Sequence, residues 1–192
     1  MLNELKESKK DVNPIDLKNN KDEKELAKEE LIFNIQTLVA EGKYKEADKI
    51  IKLSLSKNYN DPQMLSLSAL VAVAMQDWVQ AIARLHVVIK IQGEDTPPLP
   101  HLLLIRSYRC SGQLVEAMKA AELAVKTHAN NEEIVNEAAI IAEDLGEWES
   151  AALALEVLIE MHEMDGKEIP VALKTRLQTA KSLSEVLKAE DK

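Results

Sequence analysis

The sequence predicts an all-α protein made of stacked helical hairpins, and three observations predict it. First, a bulky residue stands three positions before an alanine four times: Tyr44 and Ala47, Trp78 and Ala81, Leu114 and Ala117, Trp148 and Ala151. The alanines are 34, 36 and 34 residues apart, and self-similarity at a fixed period of this length marks a repeat architecture. Second, from about Lys24 onward apolar residues recur every three or four positions, the pattern of amphipathic helices, and nothing alternates with period two for long enough to form a strand. Third, the helix breakers fall where hairpins need them. Gly42, Gly112 and Gly146 share one repeat position, just before the bulky residue, where a helix end takes a residue that tolerates positive φ. Gln76 holds that position in the second repeat, which predicts a looser turn there.

Residues 1–23 are rich in Lys, Asn, Asp and Glu without a sustained helical period, and are expected to be a disordered charged tail. Four hairpins follow within 24–165, at about 25–59, 62–92, 98–128 and 131–165. Pro62, Pro97, Pro98, Pro100 and Pro170 lie between hairpins or at helix starts, where a missing N–H costs little. The stretch QGEDTPPLP at 92–100 carries the two extra residues that lengthen one repeat to 36, and reads as a loop. Residues 166–192 supply a capping helix, about 168–189, and a short charged tail.

Composition narrows the function classes. No run of about 18 apolar residues is present, so no membrane-spanning helix is expected. The N-terminal stretch has no apolar segment of signal-peptide type, and the single cysteine, Cys110, excludes an internal disulfide; a cytoplasmic location is expected. The formal net charge is −9 and is uneven: residues 132–165 hold 11 Asp and Glu and no Lys or Arg. Such a balance argues against nucleic-acid binding, which needs clustered basic residues. An acidic run of this kind is first a solvated helix face and second a docking surface.

These residues resemble the tetratricopeptide repeat, a helix–turn–helix unit of 34 residues. The resemblance covers roughly 28–165 and rests on the Gly-x-bulky-x-x-Ala turn, the period, and a large residue four after the alanine in three repeats, Ile51, Leu85 and Leu155. It implies a right-handed superhelical array with a C-terminal capping helix, in which the small alanines permit close helix crossing and Trp148 packs beside its turn. It also implies a concave groove lined by the first helix of each hairpin. The in-phase positions are Ile32, Gln36 and Val39; Ser66, Leu70 and Val73; Leu102, Arg106 and Arg109; and Asn136, Ile140 and Glu143. Spacings of four and three place each trio on one helix face. The expected groove is apolar in its first half, basic at the third hairpin and acidic at the fourth. Arg106 and Arg109 need a facing anion, from Glu137, from Glu143 or from a bound protein.

No chemistry accompanies this pattern. His86, His101, His128 and His162 form no HExxH pair, and there is no clustered cysteine, phosphate loop or nucleophile elbow. Residues 160–165, EMHEMD, read as a solvated helix end because the side chains point in different directions on a helix. The expectation is no enzyme, no cofactor and no metal. The family's carboxylate-clamp groove for chaperone tails needs Lys and Asn where this chain has Ile32 and Gln36, which argues against that role. The expected function is a non-catalytic cytoplasmic adaptor or small chaperone holding a peptide-like or helical segment of another protein. Its rival is an assembly scaffold or self-associating homo-oligomer that uses the acidic fourth hairpin. A type III secretion translocator chaperone is a narrower version, set back because those proteins typically have three repeats.

Overall fold

A helix ends where its last carbonyls find a partner, and five turns among the described residues find it in the same way, at Gly42, Gln76, Gly112, Gly146 and Gly166. At Gly146 (φ +74°) the N–H donates to the Glu143 carbonyl, and the next N–H, from Glu147, reaches back to the Ala142 carbonyl at 2.8 Å. This is the reversed double bond that closes a helix on a left-handed residue. Gln76 makes the same pair of bonds, its own N–H to Val73 and that of Asp77 to Ala72, both 2.9 Å, at φ +58°. The turn expected to be looser is therefore as tight as the others. The Asp77 carboxylate accepts from the Gln80 N–H at 3.1 Å and starts the next helix immediately, which holds Gln76 in a conformation that glycine would adopt more readily.

The computed structural model describes residues 14–190, with side chains from Glu25 to Ala189. Its helices are α1 (Pro14–Ala40), α2 (Tyr44–Lys57), α3 (Pro62–Ala74), α4 (Trp78–Gln92), α5 (Pro98–Cys110), α6 (Leu114–Thr127), α7 (Glu132–Leu145), α8 (Trp148–Met164) and α9 (Val171–Glu190). No strand occurs among the described residues. The expected tail falls partly outside them, at 1–13, while α1 begins at Pro14 and not near Lys24.

The chain divides into two compact units, Met1–Ile50 and Ile51–Lys192. In the first, α1 and the start of α2 form a hairpin around Gly42, with Ile35 and Ala47 fully buried. In the second, the hairpins α3–α4, α5–α6 and α7–α8 each pack on the next, and α9 closes the series against α8. The alanines behave as their spacing predicts: Ala81, Ala117 and Ala151 have no exposed surface, and Leu85 and Leu155 are buried beside them. In the third hairpin the small Ala121 stands where those leucines stand, and Tyr108 packs against the cluster that contains it. Trp148 packs against the α7–α8–α9 core, as expected.

The two-residue insertion forms a short 3-10 turn, Gly93–Asp95. Thr96 is buried there and donates its hydroxyl to the Gly93 carbonyl at 2.7 Å. Pro97 and Pro98 then start α5. The outward side of α9 carries Lys174, Thr175, Gln178, Thr179 and Ser182, a polar surface suited to the end of a repeat array.

Candidate functional site: the face of the first helices

In the first unit Ile32 and Val39 are half-buried and Gln36 is exposed, so α1 presents a short apolar strip with one amide. In the second unit Ser66 turns its hydroxyl back onto the Pro62 carbonyl (2.8 Å), Leu70 is 37% exposed, and Val73 packs partly against the α3–α4 core. Leu102 departs from the expectation. It is only 5% exposed and sits in the core with Ile134 and Ile141 of α7, so it offers a partner no surface. The packing of α7 against α5 covers that edge of the helix.

The charged part of the face is bridged within the chain. Arg106 donates from Nε to Glu137 Oε1 at 2.6 Å and from Nη2 to Glu133 Oε2 at 3.3 Å. Arg109 donates from Nε to Glu137 Oε2 at 3.1 Å. One carboxylate thus spans both arginines, and it is 3% exposed. A buried charge needs this many partners, because removal from water costs several kcal/mol per ion. The hydrogen bond to Glu137 raises the Arg106 pKa, against the effect of burial. Of the three anions the sequence left open, Glu137 is the one that meets the arginine pair.

Glu143 turns the other way. Arg176 of α9 donates to both of its oxygens, from Nε at 3.0 and 3.2 Å and from Nη2 at 2.9 Å, and its Nη1 donates to Asn136 Oδ1 at 2.9 Å. The fork-shaped guanidinium suits this two-oxygen grip. Ile140 lies half-buried between the two clusters in the α7 sequence. Arg176, together with Glu133, is what sequence reasoning missed. Arg176 belongs to a helix read only as a cap, and no local pattern marks the residue as a member of this face.

The stretch 160–165 is mostly exposed, as a solvated helix end should be, but its histidine is engaged. His162 faces acceptors on both ring nitrogens: Glu132 Oε1 at 3.1 Å from Nε2 and the Glu168 carbonyl at 3.3 Å from Nδ1. Lys167 reaches Glu132 and Asp165. The hydrogen bond from His162 leads the effects that lower the Glu132 pKa. Farther along the chain, the buried His101 meets His128 edge-on with ring centroids 5.2 Å apart, and burial followed by the neighbouring His128 lowers its pKa. No group of three or more His, Cys, Asp or Glu able to hold a metal occurs among the described residues.

No family model matches the chain, and no curated protein matches it. Solved structures do. The chain is similar to a crystal structure of MamA protein, with a TM-score of 0.70 and 14% identity over 81% of each chain. MamA 41-end from Desulfovibrio magneticus RS-1 aligns with a TM-score of 0.62 at 17% identity, over 71% of this chain and 75% of that one. The Sgt2 TPR domain from Aspergillus fumigatus aligns at 0.53 and 23% identity, over 68% and 82%. At these identities the likeness concerns the fold, and the fold is an all-α tetratricopeptide-type array.

Proposed function

We propose that the protein is a non-catalytic interaction module, a cytoplasmic adaptor or small chaperone that holds a segment of a partner protein against the first-helix face. The observation that carries this reading is the unequal finish of the face. Its arginines and most of its carboxylates are matched inside the chain, whereas Leu70 remains open beside Ser66 and Val73. The unsatisfied part is apolar, so recognition rests on burying apolar side chains of the partner, worth roughly 25 cal/mol per Å² removed from water. A helical or extended segment with apolar side chains on one side fits this strip.

The scaffold reading draws on the acidic fourth hairpin. Glu132, Glu133, Glu137, Glu143, Glu149, Glu156 and Asp165 all have basic partners within the chain, which leaves Asp144, Glu147, Glu160 and Glu163 to attract a basic surface. Affinity capture followed by a salt wash separates the two readings. Partners retained at about 1 M salt and lost with Leu70→Asp support the apolar strip, because a Debye length near 3 Å screens exposed charge. Partners released by salt and indifferent to Leu70→Asp would overturn it.

A further inference from the structure

The hairpins α3–α4, α5–α6 and α7–α8 share one frame, and α5–α6 departs from it at one buried position. His101 is the fourth residue of α5, and the fourth residues of α3 and α7 are Leu65 and Val135. Those two are 1% and 3% exposed and His101 is 6% exposed, so the repeat buries this position each time. Nothing in its packing calls for a polar ring there. The neighbour of His101 is a second imidazole. His128 closes α6, and its ring meets that of His101 edge-on with centroids 5.2 Å apart.

Neither ring has a hydrogen-bond partner among the described residues, and His128 Nε2 is fully buried. Native interiors carry few polar atoms in this state, because each detracts from stability. No third ligand makes the pair a metal centre, since no group of three or more His, Cys, Asp or Glu able to hold a metal occurs among the described residues. Charge near the pair is sparse as well. Burial and then His128 lower the His101 pKa, and no carboxylate offsets them. Toward this end of the adjoining elements, Lys90, Glu94, Asp95, Glu122 and Lys126 are exposed, and α3 carries no charged side chain. Glu132 is held by His162 and Lys167, and Glu133 and Glu137 are held by Arg106. The negative end of α6 accommodates a proton on His128, whereas the positive end of α5 opposes one on His101. The second proton is therefore the disruptive one: it sets two cations edge to edge with no anion between them.

The pair also stands between two joints of the array. Residues 93–97 lead from α4 into α5 shortly before His101. On the other side, the His128 carbonyl accepts from the Asn131 N–H at 2.9 Å, and the Asn131 side chain caps α7 by accepting from the Ile134 N–H at 3.0 Å. Displacing His128 therefore disturbs the start of α7. We propose that His101 and His128 form an acid-sensitive joint: when neutral they hold the end of α5–α6 away from Gly112 closed, and when both are charged they part and loosen the start of α7. The direction follows from burial. Opening returns His101 to water and to the ordinary histidine pKa of about 6.5, above its folded value, so the open form takes up protons first. The joint is at full strength above that pH and weakens as pH falls below it.

Amide hydrogen exchange of the full chain, compared between about pH 7.5 and about pH 5 and corrected for the intrinsic rate, tests this. Amides of 98–104 and 126–135 should lose protection by about tenfold or more at the lower pH, while those of α3 keep theirs. His101→Leu places there the residue that α3 uses, so it should fold and should abolish most of the loss. His128→Gln, which copies Gln92 at the equivalent position of α4, removes the second charge and should abolish part of it. No loss in the wild type, a loss spread evenly along the chain, or equal losses in wild type and His101→Leu would each overturn the proposal. An arm that needs no variant is NMR titration of the wild-type imidazoles. His101 should titrate below the ordinary histidine value, and titration at or above that value would overturn the proposal too.

Discussion

In α3–α4 two helices meet through apolar side chains, with Ala69, Ala72, Ala81 and Leu85 at the centre. In α7–α8 the same repeat frame has a core of the same kind, but its first helix is also bridged to α5 by Glu137 and to α9 by Glu143. The second hairpin gains nearly everything from burial, so its sensitive positions are the ones where volume matters. The fourth carries a carboxylate that burial alone would expel, so its sensitive positions are the partners of that carboxylate. One fold period therefore gives two kinds of failure.

Reversing Arg106 and Arg109 together, each to Glu, should produce the largest effect. Glu137 would then lie buried among like charges, and unpairing a buried ion costs about 3–5 kcal/mol. Denaturant midpoints should show a loss of that order, and adding Glu137→Gln should recover a large part of it. If the double reversal left stability intact and abolished only partner capture, the arginines would face outward and Glu137 would not be their main partner.

The matching break in the second hairpin is Ala81→Leu. Ala81 has no exposed surface where α3 crosses α4, so added methylenes force the helices apart at a cost of about 1–3 kcal/mol. Lys45→Ala, on an exposed site of α2, should change stability by under about 0.5 kcal/mol. Equal midpoints for the two variants would contradict the packing described for the repeat.

These two sites also show what the sequence could and could not reveal. Ala81 was legible because its role is local and periodic: a small residue recurs at fixed distance from a turn that glycine or a capped glutamine closes. Leu102 was misread because spacings of four and three define a stripe on α5 but not which edge of it α7 will cover. Arg176 was invisible for a related reason. Its partners lie 33 and 40 residues away on α7, and Arg176 reaches them only after α9 folds back. Long-range pairing of long side chains leaves no periodic trace.

A smaller effect sharpens the comparison at the turns. Gln76 adopts φ +58° where the fourth hairpin has Gly146 at +74°. A side chain in the left-handed region costs roughly 1 kcal/mol, so Gln76→Gly should raise stability by about that amount. Thermal melts should show a gain of a few degrees. No gain would mean that the Gln76 side chain or the unfolded-state entropy of the new glycine offsets the relieved strain.

The smallest expected effect lies in acid, where the two hairpins should part again. Glu132 at the start of α7 accepts from His162 and Lys167, and its pKa is lowered, first by the hydrogen bond from His162. A carboxylate with a folded pKa below its unfolded value adds stability above the unfolded value. That stability is lost as pH falls through the folded one. The window therefore opens near the ordinary glutamate value of about 4.3 and extends below it. The side chain is nearly half exposed, so solvent screening keeps the contribution under about 1 kcal/mol. Urea midpoints measured from pH 6 down to pH 3 should fall more gently for Glu132→Gln than for the wild type, with the two curves converging at the acid end. Parallel curves would mean that His162 and Lys167 hold the α8–α9 connection without help from this charge.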